Sequence, residues 1–237
     1  MHPYTDQSNS YDTTVASHFI RSVYSYMFIA LSISGVIAYA VGTNRSLFES
    51  LFVSETGKTS MLFYVVLFAP IVLAMVIQWG FQKLAMSTLL LLFILYSACM
   101  GSTLSVIFMA YSTHAIVFTF FVSSAAFGGM AILGYTTKTD LTKFGSLLYM
   151  VLIGMIIGGI VNMFLGSGLF DLLITLLGVF VFTGLIAYQM QQLKRVAQSN
   201  EFNAETKNKL ALIGGMQLYI LFVNLFLTLL RLLGNRD

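Results

Sequence analysis

Three histidines, one cysteine, nine acidic and twelve basic side chains are all that the 237-residue chain offers for metal, thiol or charge chemistry. The histidines, His2, His18 and His114, are far apart and lie outside the apolar segments. A zinc or metalloprotease centre needs clustered His and carboxylate ligands, so no metal site is built from them. Cys99 sits in an apolar run without a second cysteine, and nothing depends on an oxidising compartment. A retinal Schiff base would require a lysine at membrane depth, and none is placed there. The serines in apolar runs have neither His nor Lys beside them and read as small residues that let helices approach. With no acid, base, nucleophile or metal candidate, the chain is expected not to be an enzyme and to need no cofactor.

What remains at depth is uncharged and polar: Asn162, Thr175, Thr183, Tyr188, Gln189, Gln217, Tyr219 and Asn224. These side chains can knit helices together with hydrogen bonds worth about 1 kcal/mol each, or line a narrow hydrated path for a cation. Both readings stay open on the residues alone.

Such groups are positioned by helices in lipid. With 58% hydrophobic and 9% charged residues, the chain cannot cover a soluble globule of this size with a polar surface. A crossing takes roughly 20 apolar residues, which gives length for about seven. Two prolines and no run of alternating polarity favour helices over a barrel. The expected spans are about 21–42, 60–78, 87–110, 115–135, 144–165, 172–189 and 210–230. Residues 1–18 read as a disordered polar tail and 19–237 as one membrane domain; the tail has no basic n-region and no apolar core, so a cleaved signal peptide is not expected. Between spans one and two lies a mixed loop with Arg45, Glu49, Glu55 and Lys58. The charged stretch from Gln191 to Lys209 reads as the longest connection, with Glu205 and Lys209 one helical turn apart and able to pair.

Pro70, inside span two, lacks an amide hydrogen and frees a carbonyl one turn earlier, which reads as a packing kink or a hinge. Gly154 and Gly158 form a small-residue ridge on span five, and Gly128, Gly129 and Gly134 thin one face of span four; internal helix packing is the expected use. Basic residues divide unevenly: Arg21, Lys83, Lys138, Lys143, Lys194, Arg195, Lys207 and Lys209 on one side, Arg45, Lys58, Arg231 and Arg236 on the other. The bias places the amino terminus in the cytoplasm and the carboxyl terminus outside. A formal charge of +3, scattered between spans, does not suit nucleic acid.

Several segments together resemble the Bax inhibitor-1 family, closest to its bacterial branch: Leu92-Phe93-Ile94-Leu95-Tyr96-Ser97-Ala98 with Gly101, Gly134-Tyr135-Thr136-Thr137-Lys138-Thr139-Asp140-Leu141, Gly184-Leu185-Ile186-Ala187-Tyr188, and the closing Leu218-Tyr219 with Phe222-Val223-Asn224-Leu225-Phe226-Leu227. The resemblance implies an all-α seven-helix bundle with the last helix near its centre, in a bacterial inner membrane. It also implies a calcium leak gated by pH through two aspartates that share a proton. Here Gln189 holds the first aspartate's place, after Ala187-Tyr188, and Leu221 the second's, after Leu218-Tyr219-Ile220. Neither ionises or supplies carboxylate oxygens to calcium. The resemblance therefore implies a calcium or cation leak without its sensor, with Tyr188, Gln189, Tyr219, Leu221 and Asn224 as pore or gating candidates. Bacterial relatives are also thought to engage a membrane-bound AAA protease, for which the tail would be the handle. A passive solute transporter rests on span count and polar groups alone, since no inverted repeat is apparent.

Overall fold

The computed structural model describes residues 4–53 and 59–234, with side chains from residue 16 onward; His2, Glu55, Lys58 and Arg236 lie outside the described residues. Apart from one isolated bridge between Val53 and Thr59, the described regular structure is helical. The helices are α1 Tyr4–Thr43, α2 Arg45–Phe52, α3 Met61–Gly80, α4 Met86–Leu104, α5 Ile107–Ala110, α6 Thr113–Thr136, α7 Thr142–Leu165, α8 Gly168–Gln198 and α9 Ala204–Leu233. Seven stretches are long and apolar enough to cross a bilayer: Ala16–Thr43 of α1, α3, α4 with α5, α6, α7, α8 and α9. The chain is thus an all-α membrane protein, in register with the expected spans.

Four boundaries differ from expectation. The polar start, read as disordered, is helical from Tyr4; no glycine or proline occurs between Tyr4 and Ser34, and extending a helix already nucleated by an anchored span is far easier than starting one. The loop after span one contains α2, whose Asn44 cap accepts the Leu47 amide at 3.2 Å and whose Arg45 and Glu49 pair at 2.7 Å. Span three breaks after Leu104: the Ser105 amide is shared between the Gly101 and Ser102 carbonyls, and Phe108 bonds back three residues to Ser105. The long connection shrinks to 199–203, because α8 meets no helix breaker before Ser199 and Asn203 accepts the Thr206 amide at 2.8 Å to start α9. Glu205 and Lys209 pair at 3.0 Å as expected.

Burial separates the helices by solvent. In α3 and α7 only 11% of the apolar window is buried, against 72% in α9. Residues such as Met163 and Phe164, more than four-fifths exposed, face lipid, where an apolar surface needs no cover. The last helix is the most enclosed of the seven.

The chain divides into two compact units. The first to be described comprises residues 18–112 with 200–219. Small residues set its close approaches: a Cβ at Gly101 would stand 2.6 Å from the Ser34 carbonyl oxygen, and one at Gly215 would stand 2.7 Å from that of Val23. Pro70 lies buried inside α3, and the Val66 carbonyl it frees accepts the Thr103 hydroxyl of α4 at 3.2 Å. The carbonyl freed by the proline thus has a hydrogen-bond partner on a neighbouring helix. Phe48, Phe52, Phe63 and Tyr64 continue as an edge-to-face series joining α2 to α3.

The other unit comprises residues 113–199 with 220–235. Here α8 is the shared partner. Gly134 of α6 lies against the Ala187 backbone, a Cβ there standing 2.7 Å from the Ala187 Cα, and Gly145 of α7 lies under the Tyr188 ring. From α9, Thr228 approaches Gly178, while Phe222 meets Phe120 and Phe127 of α6 at ring distances of 5.5 and 5.7 Å. The small-residue ridge is only partly used: Gly158 meets Phe170 and Ile174 at 3.5 Å, but Gly128, Gly129 and Gly154 meet nothing within 4 Å and face away from the helices.

Candidate functional site

The second half of α8 carries an unbroken row of enclosed residues, Gly184 to Ala187 and then Gln189 to Gln191, because α6 and α7 both pack against it. Gln189 is 8% exposed and lies between Tyr188 and Met190, the latter fully enclosed. In the same unit, Leu221 on α9 is 7% exposed and is followed by Phe222, Val223 and Leu225, all buried. Both places that the resemblance assigns to aspartates are therefore packed and uncharged.

The remaining candidates are engaged as well. Tyr188 is half-buried, its ring edge-on to Tyr149 at 6.2 Å and its space provided by Gly145. Asn224 donates its side-chain amide to the Ile220 backbone carbonyl at 2.8 Å, and its backbone carbonyl accepts the Thr228 hydroxyl at 2.7 Å. Tyr219 belongs to the other unit, where its fully enclosed ring sits edge-on to Tyr96 at 5.8 Å and its hydroxyl has no well-formed hydrogen bond. The structure thus brings Tyr188, Gln189, Leu221 and Asn224 into one unit and leaves Tyr219 in the second. Pro70 is buried in α3, a Cβ on Gly158 would meet Phe170 and Ile174 at 3.5 Å, and one on Gly154 would meet nothing within 4 Å.

The densest polar arrangement is one that residue types alone did not single out, at the end of α8. Gln191, only 6% exposed, donates to the Thr139 carbonyl at 2.8 Å and accepts the Leu141 amide at 2.8 Å. Arg195, one turn on, donates to Asp140 at 2.5 Å, to the Thr142 hydroxyl at 2.9 Å and to Gln191 at 3.2 Å. Lys194 donates to the Tyr135 carbonyl at 2.7 Å, satisfying one of the last carbonyls of α6, with its ammonium 5.0 Å from the Tyr135 ring centre. The α6–α7 connection is thereby clamped to α8. The Thr142 hydroxyl and amide, together with Arg195, hold the Asp140 carboxyl well below the usual carboxylate range. This ion pair accordingly stays charged at any physiological pH. At the opposite end of α8, Asp171 accepts from Arg231 of α9 at 3.2 Å, so α8 is tied at both ends.

The only sequence signal for the clamp was the Tyr135–Leu141 motif and the Gln191/Arg195 spacing of four, which puts both side chains on one face if the helix continues. Hydropathy alone assigns Gln191 onward to a connection, where that spacing carries no meaning.

The family described as inhibitor of apoptosis-promoting Bax1 matches residues 16–237. An uncharacterized protein of Borreliella burgdorferi is 42% identical over 222 residues, covering 94% of each chain. The inner membrane protein YbhL of Escherichia coli strain K12 is 38% identical over 220 residues, 92% of each. An uncharacterized membrane protein of Streptococcus pyogenes serotype M6 is 30% identical, covering 93% of this chain and 94% of its own.

Proposed function

Since this chain belongs to the Bax inhibitor-1-like family of membrane proteins, we propose that it is a non-enzymatic regulatory protein of the bacterial inner membrane that works by engaging a partner and not by proton-gated conduction. The observation that carries this reading is the packing of Gln189 and Leu221, 8% and 7% exposed, where the family resemblance calls for ionisable carboxylates. A proton-switched gate needs a titrating group at those places, and neither an amide nor an alkyl side chain supplies one. The inner-membrane assignment draws on the similarity to YbhL, an inner membrane protein of Escherichia coli. The excess of basic residues in one set of connections puts the amino terminus and the end of α8 in the cytoplasm and the carboxyl terminus in the periplasm.

The partner is a membrane-bound AAA protease, held through the cytoplasmic segment that precedes the first span. Deleting residues 1–17 from the chain in its native membrane should abolish co-purification with the protease. Unaltered protease association and unaltered lifetime of the deleted chain would overturn the reading.

A second reading, a calcium or other cation leak, is favoured by the uncharged polar side chains at depth on α8 and α9. Any such flux is not switched by protonation at Gln189 or Leu221. In calcium-dye liposomes the rates at pH 6 and pH 8 should differ by less than about twofold, whereas one titrating gate would give up to about tenfold per pH unit. A steep rise in acid would refute the missing sensor.

A further inference from the structure

The clamp at the end of α8 leaves two cations unused. Among the charged groups of the α6–α7 connection and the facing end of α8, Asp140 is the only acid, and Arg195 occupies it. Lys194 is held on the Tyr135 carbonyl. Lys138 and Lys143 are both exposed and form no ion pair. Lys138 lies within, and Lys143 just after, the connection of five residues between the end of α6 at Thr136 and the start of α7 at Thr142. Immediately beyond lie lipid-facing side chains: Ile132 and Leu133, 67% and 49% exposed, on α6, and Phe144 and Leu147, 39% and 55% exposed, on α7. Both lysines thus border directly on the apolar faces of α6 and α7 in sequence, and a long basic side chain at such a boundary reaches toward the headgroup layer.

We propose that Lys138 and Lys143 form a docking site for the headgroup of an anionic phospholipid, whose acyl chains lie along the exposed faces of α6 and α7. Charge complementarity selects the occupant: four cations meet one carboxylate, and that carboxylate is already neutralised. The buried Gln191 side chain fixes the connection from both sides, so the lysines are presented on a set backbone and less ordering is required when lipid binds. The site needs only a bilayer and does not rest on the regulatory reading.

Native mass spectrometry of the full chain, equilibrated with equimolar phosphatidylglycerol and phosphatidylcholine, tests the site. Two lysines near an anionic surface should give the wild type a preference for retained phosphatidylglycerol of up to about thirtyfold. K138Q/K143Q should lower that preference several-fold, while K138R/K143R keeps it and shows that the loss is one of charge. K207Q, on α9, should leave it unchanged. The proposal is overturned if K138Q/K143Q retains the wild-type preference, if K138R/K143R loses it, or if K207Q lowers it equally. It also falls if millimolar inorganic phosphate displaces the lipid, which would identify a soluble-anion site. Thermal unfolding of each variant confirms that the helices remain intact.

Discussion

Pro70 takes one amide hydrogen out of α3 and leaves the Val66 carbonyl without its intrahelical donor; the Thr103 hydroxyl of α4 reaches it at 3.2 Å, sharing its one hydrogen with the Cys99 carbonyl at 3.1 Å. A carbonyl left unpaired away from water costs about 1–3 kcal/mol. Thr103→Val should therefore lower stability by about that amount in denaturant or thermal unfolding in micelles. In a Pro70→Ala background, where residue 70 again carries an amide hydrogen for the Val66 carbonyl, the same substitution should cost measurably less. Equal costs in the two backgrounds would dismiss the compensation. The proline and the carbonyl it frees are legible in sequence; the donor, 37 residues onward, is not, because only tertiary packing brings it there. Glycines divide in the same way. Gly134 and Gly154 look alike in apolar runs, yet a Cβ on the first meets the Ala187 backbone and one on the second meets nothing. Gly134→Ala should cost about 1–3 kcal/mol, as overpacking against rigid backbone does, with Gly154→Ala neutral or slightly stabilising because it removes glycine's helix penalty.

At the scale of elements, hydropathy marked where each helix enters lipid but not where it ends. The α3, α6 and α7 boundaries fall within about two residues of expectation, since apolar runs stop there and polar connections begin. For α8 the apolar signal stops near Gln189 while the backbone continues to Gln198, nine residues further. Those extra residues carry Gln191, Lys194 and Arg195, so missing the extension meant missing the clamp. Gln191→Leu removes both hydrogen bonds to the connection and should speed hydrogen exchange of the Leu141 amide by about fivefold, for the loss of roughly 1 kcal/mol. The ion pair adds a pH signature of definite sign. Because the folded Asp140 carboxyl ionises below its unfolded value of about 3.9, its contribution is fully present above that value and is lost as pH falls through the lower, folded value. After correction for intrinsic exchange, protection of residues 137–143 should be constant from pH 5 to pH 8 in the wild type. Asp140→Asn should weaken it at every pH in that window. Equal protection in the variant, or a wild-type fall between pH 8 and pH 5, would rule out the clamp as described.

For the whole molecule, fold and mechanism separate. The helix pattern and the family motifs specify a bundle of apolar spans, and the sequence matches the family through its last residue. The activity that the resemblance implies depends on two side chains that this chain replaces, and two substitutions leave a hydropathy profile almost untouched. The consequence is thermodynamic as well as functional. Among the described residues, the buried polar set consists of Ser34, Ser97, Ser105, Thr119, Ser123, Thr175, Gln189 and Gln191, none of which ionises at neutral pH. The described histidines, His18 and His114, are exposed. A single buried group titrating only in the folded state would tilt unfolding free energy by up to about 1.4 kcal/mol per pH unit. Without one, unfolding free energy in micelles should vary by less than about 0.5 kcal/mol between pH 6 and pH 8, the window in which a shared-proton aspartate pair would respond. Leu221→Asp adds the missing charge to a packed apolar place and should destabilise by about 2.5–3.5 kcal/mol. A wild-type slope near the single-proton value would reveal a titrating core and restore a proton-driven mechanism to this chain; a flat profile with a strongly destabilised Leu221→Asp would mean that its core has been rebuilt around apolar contact.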